Sequence, residues 1–359
     1  MLMNKQPELA SNSDRRFTLL FLVASSALFL IVLAFTIYFF FFRQEGPPGG
    51  SGASTSTTGT FKYFSKLTGL PVKEENEITP RIAAIMVDNN PDGYPIIGLN
   101  DASVVYEAPV EGGISRFLAI YPEKSLVEKV GPVRSARPYY LDWSAEYGDS
   151  LYMHCGGSAE GLNEIDERDI FDANEFTKTP YFWRDKSRFA PYNLFTSSER
   201  WQRYYADYGG SRTVKDWDGW VFGELNSTTT ETAREFSVEY LNRFVVGWRY
   251  NTSTQNYARL LNGEEFLDDK SNQIFADNVI VQFSSISVID EVGRRKIITT
   301  GEGDARILRN GYLVRGTWKK EKSDSRTRFY DRDNQEIILT PGRTWVMVVS
   351  KNATLTVVN

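Results

Sequence analysis

Charged side chains vanish between Phe17 and Phe42, where FTLLFLVASSALFLIVLAFTIYFFFF runs for 26 residues. As a helix rising roughly 1.5 Å per residue, this run is about 39 Å long, enough to cross a hydrocarbon core of about 30 Å with some tilt. A cleaved signal peptide would have a shorter apolar stretch ending in small residues, whereas this one ends in four phenylalanines. Lys5, Arg15 and Arg16 precede the run and only Arg43 follows closely. The basic flank predicts a cytoplasmic tail (1–16), a single transmembrane helix (17–42) and an extracytoplasmic body. Residues 43–60 are rich in Gly, Pro, Ser and Thr and lack apolar periodicity. They read as a flexible tether with a root-mean-square reach of roughly 20–25 Å.

Beyond the tether the pattern divides in two. In the first part, 61–210, IAAIMV at 82–87 is a continuous apolar run of strand length followed by Asp88-Asn89-Asn90-Pro91 as a turn. Further strands are predicted at 103–107, 117–121 and 151–154. A helix is predicted from Pro138 to about Gly148, with Tyr140, Trp143 and Tyr147 on one face. Ser158 reads as the N-cap of a second helix, and Thr196 with Glu199 as a capping box for a third. Residues 211–240 are polar and Thr-rich and read as a connector. The second part, 241–359, alternates in short runs separated by Gly, Asn and Asp: 244–250, 257–261, 279–283, 296–300, 305–309, 312–318, 327–330, 337–340 and 344–349. Asn310-Gly311 between two such runs is a two-residue hairpin signal. The expected fold is therefore a mixed α/β domain followed by a mainly antiparallel β domain.

Composition narrows the chemistry. The chain has 359 residues, 41 Lys+Arg, 46 Asp+Glu, one His and one Cys. Four basic and two acidic side chains lie in residues 1–43, so the remainder, with 37 and 44, is the acidic part. That balance argues against a nucleic-acid partner. One cysteine excludes an internal disulfide framework and any CxxC motif, and one histidine excludes multi-His metal sites. An exported, nearly cysteine-free chain suits a bacterial envelope. No cofactor motif is present.

The residues that could carry chemistry gather at 88–158. Arg134 and Arg137 stand three apart ahead of the Pro138 helix. With Arg116, and with Gly156, Gly157 and Ser158 opening the next helix, they suggest an anion pocket. The competing reading pairs Arg134 and Arg137 with Glu107, Glu111 or Asp142, tying the domain together. Asp88, Glu107 and His154 are the candidate base or acid residues. A Cys155 or Ser158 nucleophile served by adjacent His154 lacks a third, orienting group. Trp318 and Lys319, with Arg343 and Trp345, form a second possible surface for sugar or cation stacking, set against simple sheet packing. No metal-ligand spacing is present.

These strings resemble the YerB-like family of extracytoplasmic bacterial proteins, which carries a domain of unknown function. The likeness lies in YEAPVEGGISRF at 106–117, VGPVRSARPYYLDW at 130–143, HCGGS at 154–158, FADNVIVQ at 275–282, GTWKK at 316–320 and LTPGRTWV at 339–346. It implies a mixed N-terminal domain followed by a smaller C-terminal one, and many members resemble lipoproteins. It also implies a histidine near Asn262-Gly263, where this chain has Glu264-Glu265. A looser likeness to the LytR–CpsA–Psr envelope transferases rests on single-helix anchoring and on arginines that hold a pyrophosphate. The combined expectation is a membrane-anchored binding or accessory module of the cell envelope. Its partners are the bilayer, through 17–42, and an envelope glycan or lipid-linked precursor. The alternative is a transferase or hydrolase acting on such a phosphate-linked precursor.

Overall fold

The computed structural model describes residues 61–212, 215–224, 231–241 and 244–358. The tail, apolar run and tether read from residues 1–60 lie outside the described residues. Among the described residues no helix is long and apolar enough to cross a membrane. In chain order the principal strands are β1 (Ile82–Val87), β2 (Val104–Pro109), β3 (Ser115–Pro122), β4 (Leu151–His154), β5 (Asp172–Asn174), β6 (Glu235–Leu241) and β7 (Phe244–Asn251). They continue with β8 (Asn256–Leu261), β9 (Asn278–Ser284), β10 (Gly301–Arg309), β11 (Tyr312–Lys320), β12 (Arg328–Tyr330), β13 (Thr344–Ser350) and β14 (Leu355–Val358). The helices are α1 (Pro138–Ala145), α2 (Ala159–Glu167) and α3 (Ser198–Tyr208).

Ten of these strands make one sheet in the order β12-β11-β10-β9-β13-β2-β3-β1-β4-β5. The two halves of the sequence join inside it, because β13 lies parallel both to β9 and to β2. Val105 pairs with Trp345, which pairs on its other side with Val279. The composition of β1 and β13 explains their central place. IAAIMV is buried along its whole length and TWVMVV nearly so, as expected of strands covered on both faces. A second, antiparallel sheet, β8-β7-β6-β14, covers one face of the first. Trp248 of β7 meets Trp345 edge-on at 5.1 Å between ring centroids. Trp201, Tyr204 and Tyr205 of α3 continue the same core. On the opposite face α1 packs Tyr139, Tyr140 and Trp143 beside Trp217 and Trp220. The whole of Thr60–Asn359 is one compact unit.

Local readings mostly hold, with instructive shifts. The hairpin at Asn310-Gly311 forms with positive φ at both residues, 50° and 80°, as a tight two-residue turn requires. Ser158 caps α2, its Oγ accepting from the Gly161 N–H. The predicted capping box is displaced: Ser197 is the N-cap of α3, and the Thr196 hydroxyl instead donates to the Tyr181 carbonyl. Helix α1 stops at Ala145, so Tyr147 is buried beyond its end. Residues 337–340 form no strand: Leu339 makes one isolated bridge, to Phe222, and Thr340 is held by Asn278. Of the 296–300 run only Lys296 and Ile297 are strand, in a short ribbon of Arg295–Ile297 against Ile286–Val288, and β10 begins just after the run. Three of these strands were not expected: β5, β6, which lies almost wholly inside the expected connector, and β14, which pairs with β6.

Between the two sheets lies a fully buried ion pair, Glu107 on β2 and Arg259 on β8. The Arg259 Nη2 donates to Glu107 Oε1 at 2.8 Å, and the Trp345 indole N–H donates to Oε2 at 2.9 Å. Ser115 donates to Oε1 at 2.6 Å and itself accepts from Asn89 at 2.7 Å. Nε and Nη1 of Arg259 find no hydrogen-bond partner, but the guanidinium lies 4.3 Å from the Phe266 ring centroid and near those of Trp345 and Phe117. Aromatic faces thus replace part of its lost hydration. Removing one member strands the other in a dry interior, at a cost of about 3–5 kcal/mol. Arg259→Met is therefore expected to lose that much in equilibrium denaturation, and the paired change Glu107→Leu with Arg259→Met to recover much of it. An unchanged midpoint in the single variant would contradict this role.

Candidate functional site

Strands β2, β1, β4 and β5 run in one direction, since β1, β4 and β5 are mutually parallel and both β1 and β2 oppose β3. Their C-terminal ends share one edge, the usual ligand edge of an open α/β sheet. The residues read from the sequence collect there. Asp88 follows β1, Arg116 opens β3, and His154 ends β4 ahead of Gly156-Gly157-Ser158. The segment bearing Arg134 and Arg137 crosses these ends, bridging Val87 to Val133 and Ala136 to Gly157.

Proximity does not leave the groups free. Arg134 donates through Nε to Asp88 Oδ2 at 2.9 Å and is stacked over Tyr192. Arg137 pairs with Glu111 and also donates to the Ala136 carbonyl. Glu111 was one of the expected structural partners; Asp88 was not. Arg116 reaches no carboxylate: its Nη1 donates to the Ser135 carbonyl at 3.0 Å, while its buried Nε has no partner. His154 is fully buried, with Nδ1 2.7 Å from the Gly156 carbonyl and Nε2 2.9 Å from Asp172 Oδ2. The carbonyl can only accept, so Nδ1 carries a proton, and neither nitrogen faces Cys155 or Ser158. The Cys155 thiol lies 3.5 Å from Glu175 Oε2; burial first, and then the Glu175 charge, push it above its ordinary value. Gly156 has φ +60°, and a Cβ there would sit 2.8 Å from the Phe176 ring, which explains the glycine.

The second predicted surface does not assemble. Trp318 and Trp345 are both buried, in the cores on opposite faces of the sheet. Their indole N–H groups donate inward, to the Phe283 carbonyl and to Glu107. Arg343 is held by the carbonyls of Ala102 and Phe275, and Lys319 by Asn334. Among the described residues no group of three or more His, Cys, Asp or Glu side chains could hold a metal ion.

A sizeable cavity lies elsewhere. A cleft of about 900 Å³ is walled by Ser144–Glu146, Gly148–Ser150, Arg168–Phe171, Arg212 and Lys215–Asp218, and by Lys319, Arg328, Tyr330 and the connection between β11 and β12. Beneath it is a second buried charge cluster. Glu146 accepts from Lys320 Nζ (2.6 Å), Arg326 Nη1 (3.1 Å), the Thr327 hydroxyl (2.6 Å) and the Tyr106 hydroxyl (3.1 Å). Two buried cations face one buried carboxylate, leaving an excess of one positive charge. Arg326 lies close to the faces of Tyr147 and Trp220, and its Nη2 has no partner. The walls carry both signs: Arg168 pairs with Asp142, Arg212 with Asp149 and Asp169, and Arg328 with Glu336, each arginine still about a quarter exposed. Sequence reading passed over this cluster. Its one signal was Lys320, two residues from Trp318 on β11 and therefore on the same inward face.

Burial alone would raise the Glu146 carboxyl, but Lys320 and Arg326 outweigh it and hold the group below its ordinary value of 4.5. A carboxyl lowered on folding contributes stability that is present above its unfolded value and is lost as pH falls through the folded one. Urea midpoints are accordingly expected to fall with pH below about 4.5, with a shallower fall in Glu146→Gln. Parallel curves for the two proteins would show that Glu146 contributes nothing to the acid limb.

Comparison with known proteins places both halves. Residues 67–211 match the family described as the N-terminal domain of a protein of unknown function (DUF3048), and residues 236–346 match its C-terminal domain. YerB of Bacillus subtilis strain 168, designated a candidate lipoprotein, is 29% identical over 296 residues, spanning 80% of this chain and 86% of that one. The crystal structure of B. subtilis YerB superposes with a TM-score of 0.71 at 27% identity, over 82% of this chain and all of that one. The cleft residues from Ser144 to Phe171 belong to the first matched segment and those from Lys319 to Tyr330 to the second, while Arg212 and Lys215–Asp218 lie between them.

Proposed function

The chain belongs to the YerB-like family and carries its two domains in order, and from that premise we propose a membrane-tethered binding module on the outer face of a bacterial envelope. Its ligand site is the cleft walled by both matched segments. The observation that carries this reading is the cleft itself: about 900 Å³, lined by charges of both signs and aromatic side chains, above a buried cluster with one uncompensated positive charge. Ligand sites favour junctions between domains, and surplus buried positive charge favours an anionic group on the ligand. An acidic glycan or a phosphate-linked precursor fits that chemistry. The uncharged run 17–42 and the basic residues before it support the tether, as does the lipoprotein designation of the relative.

Binding is favoured over turnover by the state of the candidate acid–base groups. Asp88 is held by Arg134, Glu107 by Arg259, Trp345 and Ser115, and His154 by Asp172 and the Gly156 carbonyl. The transferase or hydrolase alternative requires one of them to be free beside the anion.

The test is a binding screen of the full-length chain in lipid nanodiscs against acidic glycan fragments and polyprenyl pyrophosphates. Lys322→Ala and Arg328→Ala in the cleft wall are expected to weaken binding by about tenfold each, roughly 1.4 kcal/mol; the melting temperature is expected to hold in the exposed Lys322→Ala and to fall in Arg328→Ala, which also loses the Glu336 pair. Arg134→Ala and Arg137→Ala, which break ion pairs at the sheet edge, are expected to lower the melting temperature and leave affinity intact. Loss of binding in the edge variants alone would move the site to the anion pocket around Arg116. Equal binding by wild type and both cleft variants would remove the cleft from consideration.

A further inference from the structure

A second cavity lies where the tether enters the body. Tyr63–Phe64 and Pro71–Val72 form a two-stranded ribbon, with Phe64 opposite Pro71. The Pro71–Val72 strand of this ribbon, with Pro80 and Pro122, lines a groove of about 710 Å³. Leu70, 46% exposed, lines it, and further exposed apolar side chains adjoin its lining residues along the chain: Leu126 (91%) follows Ser125 and Phe64 (51%) precedes Ser65, with Phe61, the first described residue, 64% exposed. Soluble surfaces rarely gather such residues in one place without an occupant. The charges that line it are balanced, Arg81 and Lys124 against Glu77 and Glu123. Attraction to this face is therefore apolar in origin and not electrostatic.

We infer that this face rests on the lipid bilayer, its apolar side chains entering the interface between headgroups and acyl chains. The inference rests on the reading of 17–42 as an anchor. Eighteen residues, 43–60, separate Phe42 from Phe61, so the tether holds the root of the body within roughly 20–25 Å of the membrane on average. The groove and its exposed rim lie at that root. Phenylalanine and leucine standing out from a polar rim suit the headgroup boundary, as they do in other interfacial contacts. Balanced charge means that the contact forms on zwitterionic lipid and persists in salt.

The experiment labels the full-length chain, with Cys155 replaced by Ser, at single cysteines carrying a fluorophore, in nanodiscs of phosphatidylcholine. The positions are Leu126→Cys and Leu70→Cys at the groove, Phe189→Cys as an exposed control, and Ser26→Cys within the apolar run. Emission is read with brominated lipid and, separately, with iodide in the water. The expected result is loss of emission to brominated lipid at 126, 70 and 26 but not at 189, unchanged in high salt. Quenching at 126 and 70 by iodide alone, with 26 still quenched by lipid, would overturn the lipid contact and leave the anchor standing. Quenching at 26 by iodide would overturn both. Protection of 126 and 70 from both quenchers would mean that protein covers the groove, and would equally overturn the inference.

Discussion

Glu107 and Arg259 meet in a dry interior between two sheets, and that encounter constrains much of what surrounds it. The carboxylate comes from β2 in the first matched segment and the guanidinium from β8 in the second. A buried ion pair is poor evidence for stability, because desolvation offsets the attraction. It is stronger evidence for specificity. Only the native placement of β13 brings the Trp345 indole to the second carboxylate oxygen, and only the native second sheet brings Arg259 to the first. A register slip on β13 would turn Trp345 to the other face and leave the carboxylate short of a donor.

The opposite face repeats the device. Lys320 and Arg326, from the second segment, cross to Glu146, from the first, beneath aromatic rings. The large sheet is thus held on both faces by charges that bridge the two matched segments, and the parallel pairing of β13 with β2 joins them edge to edge. A cleft above the second cluster has buried, hydrogen-bonded charges for its floor. Preorganised charge of this kind binds a ligand without the cost of gathering the groups first.

The edge first suggested by the sequence shows how far reasoning from residues reaches. Arg134, Arg137, His154 and the two glycines do converge at the C-terminal ends of parallel strands, as a strand–turn–helix reading implies. Their partners were not legible: Arg134 took Asp88, 46 positions away, and His154 took Asp172, 18 away. Arg326 and Glu146, 180 apart, left no motif at all. Strand β6 was hidden because its alternation, EFSVEYL, sits next to a polar Thr-rich stretch that resembles a connector.

What the sequence determined by itself is what depends on near neighbours. The 26-residue uncharged run, the Asn310-Gly311 turn, the Ser158 cap and the continuous apolar strands follow from local sterics, hydrogen bonding and periodicity. The family likeness belongs here too, since it lies in contiguous strings. The tertiary structure decided which charges meet. It inserted β13 between strands of both halves, buried Glu107 with Arg259, and set two cations against Glu146 beside a cleft. Those choices depend on desolvation and on contacts across as many as 238 residues, as between Trp345 and Glu107, and no periodicity along the chain encodes them.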